Sequence, residues 1–260
     1  MTQQVQQFLN DKKWVRWSAL VLLAMAMFFG YIFMDVLSPL QSALQITKEW
    51  TPSAYGHFAG SETFLNVFVF FLIIAGIILD KMGVRFTAIL SGTVMVIGAA
   101  INYYALTESF ANGPLQSFFT NHLNFTGFLG DITPFFDKMP ASAKFSAIGF
   151  MIFGCGVEMA GITVSRGIVK WFAGKEMALA MGIEMALARV GVAVVFIGSP
   201  LMARVGQSWV VERSVGFAVL LLIIGLISFI AYSFMDKKLE KQIGNTEEKE
   251  KCCFTDLFFV

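Results

Sequence analysis

The chain has 260 residues, of which 57% are apolar and only 14% are charged, and its mean hydropathy is +0.70. Soluble domains have about 45–50% apolar and about 25% charged residues, so this composition predicts a membrane protein. The net charge of +1 argues for neither nucleic acid nor an acidic partner. The three cysteines form neither a disulfide framework nor a metal-binding pattern.

Six apolar segments are each long enough to cross a bilayer, which takes roughly 20 helical residues. They lie at residues 17–41, 54–79, 86–107, 143–168, 177–204 and 212–235. Basic residues are concentrated before the first segment, after the second, around the junction of the fourth and fifth, and after the sixth. By the positive-inside rule, both termini are therefore cytoplasmic. The prediction is an all-α membrane protein with a cytoplasmic N-terminus at residues 1–16.

The long connection at residues 108–142 divides the six segments into three plus three and is expected to be extracytoplasmic. The two triplets enter the membrane from opposite sides, which is the inverted-repeat arrangement of many secondary transporters. Residues 236–260 begin with a strongly charged stretch that predicts a solvated cytoplasmic linker. We expect this linker to be truncated at the beginning of something larger.

Residues 76–85, between the second and third segments, read GIILDKMGVR. Gly83 can adopt a positive φ in a short hairpin, and Gly76 permits the close approach of another helix. Asp80 is placed to form charge-assisted hydrogen bonds with nearby basic groups or a helix N-terminus. The stretch resembles the cytoplasmic signature loop of the major facilitator superfamily, although the last basic residue of that loop is absent. The matching positions are Gly76, Asp80, Gly83 and Arg85, with Lys81 as a basic substitute.

A second pattern spans the fourth and fifth segments and narrows this resemblance. It consists of Glu158, Trp171–Phe172, Gly174–Lys175–Glu176 and Ala188–Arg189–Val190–Gly191. The pattern is similar to the branch of the superfamily that contains the lysosomal dipeptide transporter and its bacterial relatives. The resemblance implies half of a twelve-helix fold, a missing C-terminal half, and alternating-access transport of small organic solutes such as dipeptides. It also implies that Asp80 and Arg85 lock the cytoplasmic gate.

Ionisable side chains within apolar spans are costly, so they are candidate functional residues. Arg189 and Glu158 lie roughly 18 Å and 15 Å from the cytoplasmic ends of their segments, at a rise of about 1.5 Å per residue. Transporter sites are built near this midplane depth. The two side chains could bind the carboxylate and the ammonium of a zwitterion, and the resemblance points to the same two positions as substrate contacts. Alternatively, they form a structural ion pair between helices.

Three further acidic residues are candidates for proton transfer or gating. Asp35 and Glu62 form a shallower set in the outer third of the first two segments. A carboxylate removed from water can carry a proton, so coupling to protons is possible. Glu184 lies about 140° around the helix from Arg189 and is expected to face a neighbouring helix or the cytoplasmic opening.

The predicted function is the transport of small zwitterionic solutes. One alternative is an organic-anion or oxyanion antiporter, in which Arg189 binds the anion and Glu158 only pairs with it. The other is a non-transporting six-span scaffold or sensor. No phosphate-binding loop, catalytic triad or metal cluster occurs, so we expect neither enzyme activity nor a cofactor. Expected partners are a small-molecule substrate, the lipid bilayer and the missing half; the lack of a targeting signal favours a bacterial inner membrane.

Overall fold

The computed structural model describes the backbone of residues 8–122 and 139–257, with side chains as far as Gln242. Residues 1–7 of the predicted N-terminus, 123–138 of the predicted outer loop and 258–260 of the predicted linker lie outside the described residues. The α-helices are α1 (Lys13–Asp35), α2 (Gln41–Lys48), α3 (Pro52–Phe68), α4 (Phe71–Leu106), α5 (Glu108–Ala111), α6 (Pro114–Asn121), α7 (Ala141–Phe172), α8 (Met177–Ala203) and α9 (Val211–Leu257). The other elements are the 3₁₀ turns Leu9–Asp11 and Ser38–Leu40 and the antiparallel strands β1 (Arg204–Val205) and β2 (Ser208–Trp209).

Helices that are long and apolar enough to cross a membrane dominate the described part of the chain. There are five of them, at Lys13–Lys48, Phe71–Leu106, Ala141–Phe172, Met177–Ala203 and Val211–Gln242. The first comprises α1, the 3₁₀ turn Ser38–Leu40 and α2, and the last is the part of α9 up to Gln242. A helical span satisfies all of its backbone hydrogen bonds internally, which the bilayer requires. The predicted class, an all-α multi-pass membrane protein, is therefore confirmed.

The second apolar segment, predicted at 54–79, is divided in the structure. Helix α3 has only 17 residues and ends at Phe68, and Phe70 adopts a left-handed conformation with φ 53° and ψ 38°. Helix α4 then begins at Phe71. Neither glycine nor proline occurs at the break, but it falls within a run of valine and phenylalanine. These residues lose side-chain freedom in a helix, which makes the run a weak helical stretch.

A glycine interrupts α4 where the signature loop was predicted. Gly83 is the residue with non-helical dihedral angles inside α4, at φ 78° and ψ 167°. The predicted positive φ at this position is therefore confirmed. The kink separates an initial stretch, residues 71–82, from the main body of the helix at residues 84–106, where the Thr87 hydroxyl donates a 2.9 Å hydrogen bond to the Gly83 carbonyl.

Helices α1 and α7 form the centre of the fold. α1 packs mainly against α8 and α9, whereas α7 packs mainly against α3 and α4; α4 also packs against α9. The Phe33 and Phe153 rings join α1 to α7 with their centroids 4.8 Å apart. The Phe58 and Phe150 rings stack 4.6 Å apart and hold α3 on α7. Helices α3 and α8 thus each pack on one of the two central helices.

Glycines allow α4 and α7 to approach each other closely. A methyl group added to Gly149 would lie 2.7 Å from the Gly98 carbonyl oxygen and 2.9 Å from the Asn102 amide nitrogen. Real side chains do not reach this distance from a backbone, so a larger residue would push the helices apart. Small residues at such crossings are typical of helix packing in membranes.

The chain beyond the last apolar segment is helical. Helix α9 has 47 residues and continues to Leu257, a length of about 70 Å. The predicted linker at 236–260 is therefore α-helix over its described part. Lysine, glutamate and glutamine are good helix formers, so the charge that indicates solvation does not oppose a helix. The predicted outer loop, in turn, begins with the short helices α5 and α6.

Candidate functional site

Arg189 has no charged partner within the described part of the chain. The residue lies on α8 about 18 Å from the start of the helix and is exposed. Its guanidinium carbon lies 5.5 Å from the centre of the Tyr31 ring on α1, a cation–π contact. The ion pairs of the described residues do not include Arg189. The predicted alternative of a structural ion pair between Arg189 and Glu158 is therefore not formed.

Tyr31 connects the two predicted sets of ionisable residues. Its phenol group interacts electrostatically with Arg189, Glu184, Glu158 and Glu62. These side chains come from α8, α7 and α3, and Tyr31 itself comes from α1. We call these five residues the Tyr31 cluster. Glu62, predicted as part of a separate shallower set, lies close enough to Glu158 for the two carboxylates to interact.

Glu62 and Asn66 carry buried polar atoms without partners. Glu62 Oε1 and both amide atoms of Asn66 are buried and have no hydrogen-bond partner among the described residues. The two residues are one helical turn apart on α3. The helix is held tightly at this point, because any side chain in place of Gly154 on α7 would collide with the Glu62 carbonyl oxygen. A polar group that is buried without a partner is costly, and such groups are often found at functional sites.

Replacing Glu62 with leucine is expected to stabilise the protein. The change removes the unpartnered carboxylate and should raise the free energy of unfolding by about 1–3 kcal/mol. Thermal melting of the purified chain in detergent measures the effect. Thr63→Leu, at the exposed neighbouring position, is the matched control and should leave the melting temperature nearly unchanged. A lower melting temperature for Glu62→Leu would show that Glu62 holds the fold together.

The structure gives the other two acidic candidates different surroundings. Asp35 ends α1, where it accepts a 3.1 Å hydrogen bond from the Ser38 hydroxyl, which in turn accepts one of 3.1 Å from the Tyr55 hydroxyl on α3. Asp35 therefore joins the end of α1 to the start of α3. Glu184 is only 9% exposed, whereas Arg189 is exposed. This difference agrees with their angular separation on the helix, although both interact with Tyr31.

The predicted signature loop forms few contacts within the described residues. A methyl group on Gly76 would meet nothing within 4 Å among the described residues, so no helix of the described part approaches Gly76 closely. The physical reason is that the stretch at residues 71–82 is largely exposed. Asp80 and Lys81 are exposed, and the described residues show no ion pair for either. Only Arg85 is engaged, with Glu240 and, at 4.0 Å, with Asp236 on α9.

Sequence reasoning missed Asp236, which is 1% exposed. Its carboxylate accepts hydrogen bonds of 2.7 Å from the Lys170 ammonium and 3.2 Å from the Trp171 indole, both at the end of α7. The Tyr232 hydroxyl, one turn earlier on α9, donates a third at 3.4 Å. Asp236 thus connects α7 and α9, and its ion pair with Arg85 adds a contact to α4. The available signal was a single acid between an apolar span and two lysines.

The Lys175–Glu176 pair of the family pattern fastens the N-terminal residues to the connection between α7 and α8. Glu176 lies 2.8 Å from the Arg16 guanidinium, and the Lys175 ammonium lies 2.7 Å from the Asp11 carboxylate. The hydrogen bond from Lys175 lowers the pKa of Asp11 below its ordinary value. Gly174 precedes the pair with φ 70°. Lys175 and Glu176 therefore stabilise the junction between the N-terminal residues and the α7–α8 connection.

Comparison with known proteins does not assign the chain to a family. No family model matches it, and no curated protein or solved structure is significantly similar. Within residues 8–122 and 139–242, no group of three or more His, Cys, Asp or Glu residues is placed to hold a metal ion.

Proposed function

We propose that the chain is half of a secondary transporter of the major facilitator type and that the Tyr31 cluster binds a small zwitterionic solute. The observation that carries this proposal is that the Arg189 guanidinium lies over the Tyr31 ring, and carboxylates from α3, α7 and α8 are close enough to act on Tyr31 electrostatically, with no ion pair among these groups in the described residues. Arg189 would bind the solute carboxylate, and Glu158, with Glu62 beside it, would bind the ammonium.

The cost of burying charges supports this assignment. A charged side chain near the bilayer centre costs at least about 2.5–3.5 kcal/mol, and such residues are usually paired or functional. Arg189 and Glu158 do not form an ion pair with each other. A ligand with one positive and one negative group would satisfy both side chains in the occupied state. Because Arg189 and Glu158 are not paired with each other, the solute does not have to break an ion pair in order to bind.

The packing of the helices supports a six-span, three-plus-three arrangement. In this arrangement the second span consists of α3 and residues 71–82. Exchange of the triplet α1, α3, α4 with the triplet α7, α8, α9 preserves the main contacts. The pair α1–α9 becomes α7–α4, the pair α1–α8 becomes α7–α3, and the pairs α4–α9 and α1–α7 map onto themselves. Internal repeats of this kind are common in secondary transporters.

The exposure of Arg189 supports a second half. At its depth the guanidinium cannot face lipid without a large cost, so either water or protein must cover it. In the proposed transporter a C-terminal half covers this side of the Tyr31 cluster. Asp80 and Lys81, exposed and without an ion pair in the described residues, would remain free to contact that half at the cytoplasmic gate.

Replacement of Glu158 with glutamine tests the proposal. The purified chain is assayed for binding of a neutral dipeptide by the rise in its melting temperature. Loss of one partner of a close charge pair costs about 2–5 kcal/mol, so dipeptide affinity should fall about thirtyfold or more. Glu108→Gln, at an exposed acid on α5, is the control and should bind normally.

The same variant distinguishes the alternatives. An organic-anion or oxyanion antiporter would bind its anion through Arg189, and binding would survive Glu158→Gln. A wild-type chain that binds neither dipeptides nor anions would contradict a solute site at the Tyr31 cluster and favour a scaffold or sensor.

A further inference from the structure

A groove lies between α4 and α9, and none of its lining residues belongs to the Tyr31 cluster. Its volume is about 360 Å³, which is within the range of small-molecule sites. The groove is lined by Arg85, Ile89, Ile230, Ser233, Phe234 and Lys237.

The lining separates into an apolar wall and a basic rim. Ile89 is 37% exposed and Phe234 is 65% exposed, so both offer apolar surface to a ligand. The rim carries Arg85 and Lys237. Lys237 is exposed and forms no ion pair in the described residues. It is therefore a cation available to a ligand from outside the protein.

The neighbouring acids pair with Arg85 but leave Lys237 without an ion pair in the described residues. The Asp236 carboxylate is buried and held by the Lys170 ammonium at 2.7 Å. Glu240 pairs with the Arg85 guanidinium and lies 3.8 Å from Lys170. The cations Arg85, Lys170 and Lys237 thus stand against two carboxylates, and the excess positive charge is at the mouth of the groove.

Both helices of the groove change from apolar to charged residues, and the two changes lie at the same depth. On α4, Arg85 is followed by an apolar run, and on α9 an apolar run ends just before Asp236. The Ser233 hydroxyl donates a 3.4 Å hydrogen bond to the Arg85 carbonyl, which fixes these two transitions side by side. The basic rim therefore lies at the boundary of the hydrocarbon, and the apolar wall lies within it.

We propose that this groove binds an anionic glycerophospholipid. The headgroup phosphate contacts Lys237, with Arg85 close by, and an acyl chain lies along Ile89, Ile230 and Phe234. Basic pockets between membrane helices on the cytoplasmic side are suited to anionic headgroups. Lys237 repels the ammonium of a zwitterionic headgroup, which gives the preference for an anionic lipid. This proposal is independent of the solute-binding site.

Native mass spectrometry of the purified chain tests the proposal, with phosphatidylglycerol and phosphatidylethanolamine of identical acyl chains as probes. Wild-type protein should retain phosphatidylglycerol preferentially. A basic residue near an anionic headgroup contributes about fivefold to binding, so Lys237→Ala should lower phosphatidylglycerol retention by about that factor. Lys238→Ala removes the adjacent exposed lysine, which does not line the groove, and should retain lipid as wild type does.

Three results would overturn the proposal. Equal losses in the two lysine variants would indicate general surface electrostatics, and equal retention of the two lipids by the wild type would remove the headgroup preference. Displacement of the lipid by millimolar inorganic phosphate would indicate a site for free phosphate. The melting temperatures of both variants, measured alongside, should match the wild type because both lysines are exposed.

Discussion

Replacing Asp236 with asparagine is expected to lower the free energy of unfolding by about 3–5 kcal/mol. Asparagine has nearly the same shape, so the change removes the charge and leaves the packing intact. The Lys170 ammonium, 2.7 Å from the carboxylate, would then lie at a partly buried position without its main counter-charge. Unfolding of the purified chain by SDS in mixed micelles measures the loss.

The control for this prediction is Glu240→Gln. Glu240 contacts the same two cations, Arg85 and Lys170, but its side chain is 52% exposed, whereas that of Asp236 is 1% exposed. Exposed ion pairs contribute about 0–1 kcal/mol, so this variant should remain close to wild type. Equal losses for the two variants would mean that burial of Asp236 is not what gives its ion pair its strength.

The contrast between these two acids also explains why Asp236 was missed from the sequence. Both residues lie in the charged stretch after the last apolar segment. Their difference in burial depends on Lys170 and Trp171, which are 66 and 65 positions away in the chain. A local pattern indicates where basic residues flank a span, but it does not indicate which acid a distant helix end will cover.

Features that depend on local sequence were predicted well. The segments predicted at 143–168 and 177–204 correspond to α7 (Ala141–Phe172) and α8 (Met177–Ala203). Their bounds follow from hydropathy, because a span must be apolar and helical over the thickness of the bilayer. The positive φ of Gly83 follows equally from local chemistry, since glycine adopts that conformation at little cost.

Features that depend on helix packing could not be predicted. Depth along each helix separated Glu62 from Arg189, yet the structure connects both to Tyr31. This connection depends on the close crossing of α3 and α7 at Gly154 and on the packing of α1 against α7 and α8. Tyr31 and Asn66 gave no signal, because one tyrosine or asparagine in an apolar run is as typical of structural roles as of functional ones.

Replacing Arg189 with alanine is expected to abolish measurable solute binding without lowering stability. If Arg189 binds the solute carboxylate as proposed, its loss removes a charge-assisted contact worth about 2–5 kcal/mol, which lowers affinity about thirtyfold to several thousandfold. Stability should not fall, because Arg189 has no ion pair in the described residues and an unpaired charge at this depth is costly. Melting temperatures measured without dipeptide report stability, and their rise with added dipeptide reports affinity.

Three further variants separate recognition of the solute from a general loss of charge. Arg166→Ala removes another exposed arginine without an ion pair in the described residues and should bind solute normally. Arg189→Lys keeps the charge but loses the planar fork that matches a carboxylate, so its affinity should lie between wild type and Arg189→Ala. Tyr31→Leu removes the ring 5.5 Å from the guanidinium, a cation–π contact of about 0.5–2 kcal/mol, and should weaken binding by about twofold to thirtyfold.

Full binding by Arg189→Ala, or an equal loss in Arg166→Ala, would contradict a carboxylate site at Arg189. The expected order of affinities would assign Tyr31 the role of holding the guanidinium in place for the solute.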